Sequence, residues 1–320
     1  MTTRVGVIGA GAFGTSLAIC LSDNCDVSLF SFFDDHVEAL RATRRNEFLR
    51  DLEIPGKIKI DNAYNISSDD YFDYCLWVLP VNPSIGILRD IGPALNERNI
   101  IICSKGLTQD GTFLADDFRA LLPDSKVGYL SGPNFAIEIA TLNPSASDVA
   151  FYDMADAEAC ISKLSNKYLR LLPTDDMIGI QLCGAVKNVI AIAGGIILGL
   201  ELGQNALAAL LSLAMLETRK LGLKLGAQEK TFCGLCGLGD LVLTVSSLNS
   251  RNTSLGKKIA EGMNPATIIN SDATVYEGYE ASKHIFNLGQ RLGVEMPICD
   301  SVYRILYEKA KYKSIINVLH

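Results

Sequence analysis

Lys187 is the only charge in the apolar window around Gly184-Ala185-Val186-Lys187-Asn188-Val189. An ammonium group in such a window is costly unless paired, and burial pulls its pKa down toward neutrality. A lysine in that state can trade a proton near pH 7, as a general acid or base does. The ordinary alternative is a lysine that snorkels to the surface. Other residues could serve such a group. Gly237-Leu238-Gly239-Asp240-Leu241 sets Asp240 in a glycine turn, where it could orient a lysine, accept from a substrate hydroxyl or cap a helix. Ser104-Lys105-Gly106 ends the apolar run IIICS, so Lys105 falls where open α/β sheets bind ligands. Ser250-Arg251-Asn252-Thr253 precedes a helical window over 255–262. Helix-start amides with an arginine fork make an anion site suited to a phosphate monoester.

Gly9-Ala10-Gly11-Ala12-Phe13-Gly14 follows a β-branched run and opens a helical one. The first glycine permits a tight turn, the second lets backbone approach a pyrophosphate, and the third lets helix meet strand. Amides at the helix start then face the phosphate charge, so the pattern predicts dinucleotide binding. A residue near the end of the second strand should read the adenosine ribose, an acid for NAD or a nearby cation for NADP. Neither rule is met cleanly: Asp34 could read a 2′-hydroxyl and Arg41, Arg44 or Arg45 could meet a 2′-phosphate, or each is simply an exposed charge on a surface helix, which leaves NAD or NADP open. Ser131-Gly132-Pro133-Asn134-Phe135-Ala136 also follows a strand pattern, and its glycine could admit a ligand or simply serve a helix entry. Glu277, in Glu277-Gly278-Tyr279, reads on its own as a surface acid.

The bulk properties narrow the field. Nearly half the residues are apolar and a fifth charged, as in a globular protein, and the net charge is −7. No global basic field exists to collect nucleic acid, so an anionic substrate needs a local positive pocket. Nine scattered cysteines, an odd count, point to a reducing compartment with free thiols. Cys233 and Cys236 form a CxxC, which could be redox-active or half a zinc site and reads most simply as two small buried thiols beside a glycine turn. No second ligand pair accompanies them, so no metal site is expected. No basic, apolar leader is visible and the most apolar stretch, 189–200, is too short for a membrane span. A cytoplasmic protein is expected.

These groups need elements to hold them. Strand patterns fall at 4–8, 26–30, 57–60, 74–79, 99–103, 127–130, 148–152 and 168–172. Helical segments fit between several of them, at 15–22, 35–45, 82–90 and 113–122. The alternation predicts a parallel, doubly wound sheet, and runs such as CLWVLP are apolar on both faces as central strands should be. After Pro173 only helical windows remain. Those at 184–199 and 205–221 are apolar almost all round and should lie inside their domain. The expected division is 1–175 for nucleotide binding and 176–320 for an all-helical substrate domain.

In order, GAGAFGTSLA, SKGL, SGPNFAIE, GAVKNVIAI, GLGDLVLT, SRN, YEGY and GVEMPI resemble the bacterial NAD(P)-dependent glycerol-3-phosphate dehydrogenase family. The resemblance runs from about residue 4 to 310 and spans both expected domains. It implies a Rossmann-type doubly wound sheet followed by an all-α C-terminal domain, with the active site between them. The implied reaction interconverts dihydroxyacetone phosphate and sn-glycerol 3-phosphate with NADH or NADPH, for glycerophospholipid synthesis. By matching position, Lys187 is the implied general acid/base. Lys105, Gly132, Asn134, Asp240, Ser250, Arg251 and Asn252 are implied substrate contacts. The implied cofactor contacts are Gly9, Gly11, Ala12, Phe13, Gly14, Lys105, Ala136, Arg251, Val275 and Glu277. Asn134 stands where the family often has serine or threonine, and Phe32 where arginine or histidine is common. Family members are often dimeric, so a homodimer is a further expectation.

Two other classes remain in view. A two-domain dehydrogenase of the β-hydroxyacid type resembles a Lys-x-x-x-Asn pattern, but position 191 here is alanine. A non-catalytic NAD(P) sensor has no need of an isolated lysine in an apolar helix, nor of the SRN anion site.

Overall fold

The computed structural model describes residues 2–49, 52–248, 250–271 and 276–319. Its contacts divide the chain into two compact units, one of 1–104 with 114–177 and the other of 105–113 with 178–320. The sequence reading set its division at 175/176; the segment 105–113, which carries Lys105, groups with the second unit.

The first unit is an eight-stranded sheet in the order β3-β2-β1-β4-β5-β6-β7-β8. The strands are β1 Thr3–Ile8, β2 Cys25–Ser31, β3 Lys59–Asn62, β4 Tyr74–Trp77, β5 Asn99–Ile102, β6 Lys126–Ser131, β7 Ser145–Phe151 and β8 Leu169–Thr174. The helices of this unit are α1 Ala12–Leu21, α2 Asp34–Thr43, α3 Val81–Leu95, α4 Leu114–Leu121, α5 Ala136–Ala140 and α6 Met154–Leu164. Helices on both faces explain why β4 is buried throughout, since a covered parallel strand exposes neither row of side chains. Trp77, the bulkiest fully buried side chain, donates its indole N–H to Ser84 Oγ at 2.9 Å and packs edge-on to Phe118. The strand order turns back between β1 and β4, the switch point where such sheets bind ligands.

The expectation of a parallel, doubly wound sheet holds for the first six strands, and the last two depart from it. β7 runs antiparallel to β6, and β8 is parallel to β7, so the last two strands oppose the other six. The short stretch 132–144 between β6 and β7 holds only the one-turn helix α5. At 1.5 Å per residue that helix spans only about 7.5 Å, too little to carry the chain back along a strand of about 20 Å, so the next strand starts at the end where β6 stops. Hydropathy along a strand carries no mark of its direction.

The second unit is helical: α7 Met177–Gly199, α8 Gly203–Leu225, α9 Glu229–Phe232, α10 Asp240–Val245, α11 Arg251–Ala260, α12 Pro265–Ser271, α13 Glu277–Leu292 and α14 Pro297–Tyr307. Helix α7 is long and apolar enough to cross a membrane, yet 89% of its apolar window is buried by protein, so it is a core helix. Its glycines let neighbours touch its backbone. A Cβ on Gly194 would lie 2.3 Å from Val245 of α10, and one on Gly195 would lie 2.0 Å from the Thr253 carbonyl oxygen of α11. On the facing helix, a Cβ on Gly256 would lie 2.0 Å from the Ile192 carbonyl oxygen. Helix α8 corrects the expectation that both apolar windows lie inside. It buries Leu207, Leu210, Ala214 and Leu221 but leaves Leu216 and Leu223 exposed, so it is one-sided.

Candidate active site

The glycine loop after β1 has the geometry its spacing predicts. Gly9 has φ +114°, a value L side chains rarely adopt, and a Cβ there would also strike the Val78 carbonyl oxygen at 2.4 Å. A Cβ on Gly14 would sit 1.8 Å from the Gly9 carbonyl oxygen, so α1 could not meet β1 with any larger residue. Gly11, the N-cap of α1, has no protein atom within 4 Å of its Cβ position, which leaves its backbone open to a ligand. Ala12 and Phe13 form the first turn of the helix. Asn46 holds the loop in place: its buried amide donates to the Ala10 carbonyl at 2.9 Å and to Thr15 Oγ1 at 2.7 Å.

The ribose-reading candidates are largely engaged within the protein. The Arg44 guanidinium donates to the carbonyls of Ile54, Pro55 and Ile58 and so shapes the following loop. Arg41 donates to the Ile60 carbonyl and pairs with Asp61 at 3.1 Å. Asp34 accepts from Asn62 Nδ2 at 2.6 Å. Phe33 is largely exposed at the end of β2, and Phe32 meets Tyr64 edge-on.

The turn after β6 is packed down on β7. A Cβ on Gly132 would lie 2.8 Å from Ser147 Cα, and Asn134 accepts from Ser147 Oγ at 2.7 Å. Ala136 opens α5. These three residues, like Gly9 to Gly14, belong to the first unit.

The remaining described candidates lie in the second unit. At its centre, one carboxylate holds two ammonium groups. Asp240 Oδ1 accepts from Lys187 Nζ at 2.6 Å and Asp240 Oδ2 from Lys105 Nζ at 2.6 Å. The Lys187 ammonium also donates to Thr244 Oγ1 at 3.1 Å, and that hydroxyl donates to the Asp240 carbonyl at 2.6 Å. All three charged side chains are almost wholly buried. Burial drives the Lys187 pKa down and Asp240 resists the fall; with the Lys105 charge also opposing protonation, it settles at about 8. Burial alone would raise the Asp240 carboxyl, but the Lys105 and Lys187 charges outweigh it and hold it below the usual carboxylate range.

Asp240 is placed by a π-helical turn, Leu235–Gly239, that runs directly into α10. Such turns are uncommon and concentrate at functional sites. Thr244 follows one turn along α10 and so shares the face of Asp240.

A second cluster joins α7, α11 and α13. Asn188 donates to Glu277 Oε2 at 3.1 Å, Asn252 Nδ2 donates to Asn188 Oδ1 at 3.0 Å, and Asn252 Oδ1 accepts from the Gly278 amide at 3.0 Å. Glu277 is therefore tied to α7 rather than a free surface acid. Ser250 caps α11, its Oγ accepting from the Thr253 amide at 3.3 Å, so SRN is itself the helix start and lies nearer the N-terminus than the expected 255. Arg251 is exposed in the first turn, and Asn252 behind it is buried. Val275 lies outside the described residues.

The reading of residue types missed Thr244, Asn188 and Asn46 as functional side chains. The first two stand inside the strings GLGDLVLT and GAVKNV, one turn and one residue from a singled-out charge, and that proximity was the available signal. Cys233 differs from its expected burial: of the nine free thiols it is exposed and the other eight are buried.

The family described as NAD-dependent glycerol-3-phosphate dehydrogenase matches through its N-terminal part at residues 4–157 and its C-terminal part at 176–317. The chain is 37% identical over 315 residues to a glycerol-3-phosphate dehydrogenase [NAD(P)+] of Geobacter sulfurreducens, covering 96% of this chain and 94% of that one. It is 39% identical over 329 residues to the enzyme of the same name from Francisella tularensis subsp. novicida, covering 100% and 97%. The crystal structure of glycerol-3-phosphate dehydrogenase from Coxiella burnetii superposes with a TM-score of 0.92 at 31% identity, covering 99% and 98%. The chain belongs to the NAD-dependent glycerol-3-phosphate dehydrogenase family.

Proposed function

We propose that the protein reduces dihydroxyacetone phosphate to sn-glycerol 3-phosphate with NADH or NADPH, reversibly, as a supply of glycerol backbones for phospholipids. The observation that carries this reading is the buried Lys187 ammonium, with a pKa of about 8, held at 2.6 Å by Asp240. The glycine loop fits a dinucleotide, since Gly11 presents open backbone at a helix start beside a tight turn that only glycine allows. When bound, the nicotinamide supplies the hydride that turns the ketone carbon into an alkoxide.

Lys187 then supplies the proton. An ammonium has three N–H donors, of which one goes to Asp240 and one to Thr244, leaving one for the substrate oxygen. With a pKa of about 8 the group is mostly protonated at neutral pH yet able to release its proton. In the reverse direction the neutral amine takes the proton of the C2 hydroxyl. Asp240 and Lys105 keep the lysine oriented and fix its pKa. Arg251 and the first-turn amides of α11 hold the phosphate, together with the Asn252 N–H not given to Asn188. Gly132, Asn134, Ala136, Val275 and Glu277 are further proposed contacts on family grounds. The homodimer and the cytoplasmic location are proposed on the same grounds.

The test is loss of reduced-nicotinamide absorbance with dihydroxyacetone phosphate, run in parallel with NADH and NADPH. Wild-type protein should turn over, and Lys187→Ala should lose roughly 10²–10⁴ in turnover with its circular dichroism unchanged. Near-normal turnover of that variant ends the assignment of Lys187. Turnover of a β-hydroxyacid in place of the three-carbon phosphate would favour the other two-domain class.

A further inference from the structure

The CxxC pair has no part in the proposed reaction, yet it is built into the turn that carries Asp240. Cys233 ends α9, Gly234 N-caps the π-turn and Cys236 lies within it, four residues before Asp240. The Cys236 Sγ is fully buried against the Thr231 carbonyl oxygen at 3.9 Å, so it faces back onto the segment that bears Cys233. Of nine free thiols, Cys233 is the one at the surface, and any oxidant in solution meets it first.

The turn has little room to adjust. A Cβ on Gly237 would lie 2.3 Å from the Phe232 carbonyl oxygen, so the π-turn already rests on the end of α9. The Gly239 amide donates to the Gly234 carbonyl at 3.2 Å, and Asp240 is the next residue. A disulfide requires its two Cβ atoms roughly 3.5–4.5 Å apart. To reach Cys233, the Cys236 sulfur must leave Thr231, and the Gly239–Gly234 bond couples the segment that would move to the residue before Asp240.

We propose that Cys233 and Cys236 form a reversible disulfide with a low-molecular-weight disulfide as oxidant, and that this bond displaces Asp240 and switches the enzyme off. The Cys233 thiolate attacks one sulfur of the oxidant, whose S–S bond breaks and releases one thiolate. Cys236 then loses its proton and attacks the Cys233 sulfur, releasing the second thiolate. Two protein thiols are oxidised and one small disulfide is reduced to two thiols. With its carboxylate moved, Lys187 loses the partner that sustains its protonation. The effect on turnover rests on the proposed role of Lys187; bond formation does not.

The experiment treats the full-length protein with oxidised glutathione, maps its disulfides by mass spectrometry and follows reduction of dihydroxyacetone phosphate. The expected result is a 233–236 bond with at least a tenfold loss of turnover, both reversed by dithiothreitol. Cys236→Ser should stop at a glutathione adduct on Cys233, and Cys233→Ser, a surface change, should keep its basal turnover and resist inactivation. A stable adduct on wild-type Cys233 without the second bond overturns the pair. So does first modification of another thiol, or none at all. Complete 233–236 bonding with undiminished turnover overturns the switch. Failure of the Lys187 assignment is recognised separately, in the untreated Lys187→Ala protein.

Discussion

Lys187 and Asp240 stand 53 positions apart in the chain, and their side chains meet at 2.6 Å inside the second unit. The carboxylate does more than neutralise. It opposes the desolvation that lowers the lysine pKa, so proton-donor strength is set by a balance of burial and pairing.

That balance predicts opposite pH limbs for the two directions. In the proposed reaction ketone reduction uses protonated Lys187 and should decline as pH rises through about 8, whereas alcohol oxidation uses the neutral amine and should rise through the same region. Asp240→Asn removes the charge that raises the lysine pKa, so both limbs should move to lower pH. Profiles of kcat for wild type and variant check the direction; an unmoved limb would show that another group titrates.

Arg251→Ala should weaken substrate binding by roughly 2–5 kcal/mol, because a charge-assisted contact to phosphate is lost. The readout is KM for dihydroxyacetone phosphate beside its unphosphorylated analogue. The variant should narrow the gap between them, and unchanged saturation by the phosphate would count against a phosphate site at α11.

Asn46→Ala should raise KM for the dinucleotide while leaving KM for the ketone nearly unchanged. Its amide donates to both the Ala10 carbonyl and Thr15 Oγ1, and without it those two groups keep only a long contact with each other, at 3.5 Å. A buried group left unpaired costs about 1–3 kcal/mol. A melting curve taken alongside the kinetics separates local loosening of the loop from general loss of fold.

Glu217 predicts a pH-dependent stability unrelated to the chemistry. It is buried on α8, accepts from the Ile298 and Cys299 amides at the start of α14, and burial raises its pKa from 4.5 to about 7. A folded-state pKa above the unfolded one means the linked stability is complete below pH 4.5 and is lost as pH rises through 7. The loss is on the order of 3 kcal/mol. Glu217→Gln keeps an acceptor for the amides without a titrating charge. Its thermal midpoint should therefore change less across neutral pH than that of wild type.

The eight strands are legible in the sequence because a covered sheet demands apolar residues on both faces of its inner strands, as in 74–77 and 99–102. What hydropathy omits is direction, so the reversal at β7 escapes it. Composition likewise misplaces α8, since apolar residues such as Leu216 are tolerated singly in water. Lys187, Asp240 and Lys105 stand out by type, one as a charge in an apolar window and the others in or beside glycine turns. The links Asn188–Glu277 and Asn252–Asn188 do not, because they exist only once α7, α11 and α13 are packed. Asn46 is hidden for the same reason: its partners lie 31 and 36 positions away.

Backbone-to-backbone contact at Gly195 and Gly256 also has a bearing on selectivity. Helices fused that closely cannot slide, so the arginine at the head of one and the ammonium on the other are spaced like the jaws of a fixed gauge. In the proposed reaction such a gauge would measure how many carbons separate a phosphoryl group from a reducible carbonyl. A methyl at Gly256 would lie 2.0 Å from the Ile192 carbonyl oxygen and must push the two helices apart, so Gly256→Ala should lower the thermal midpoint together with activity.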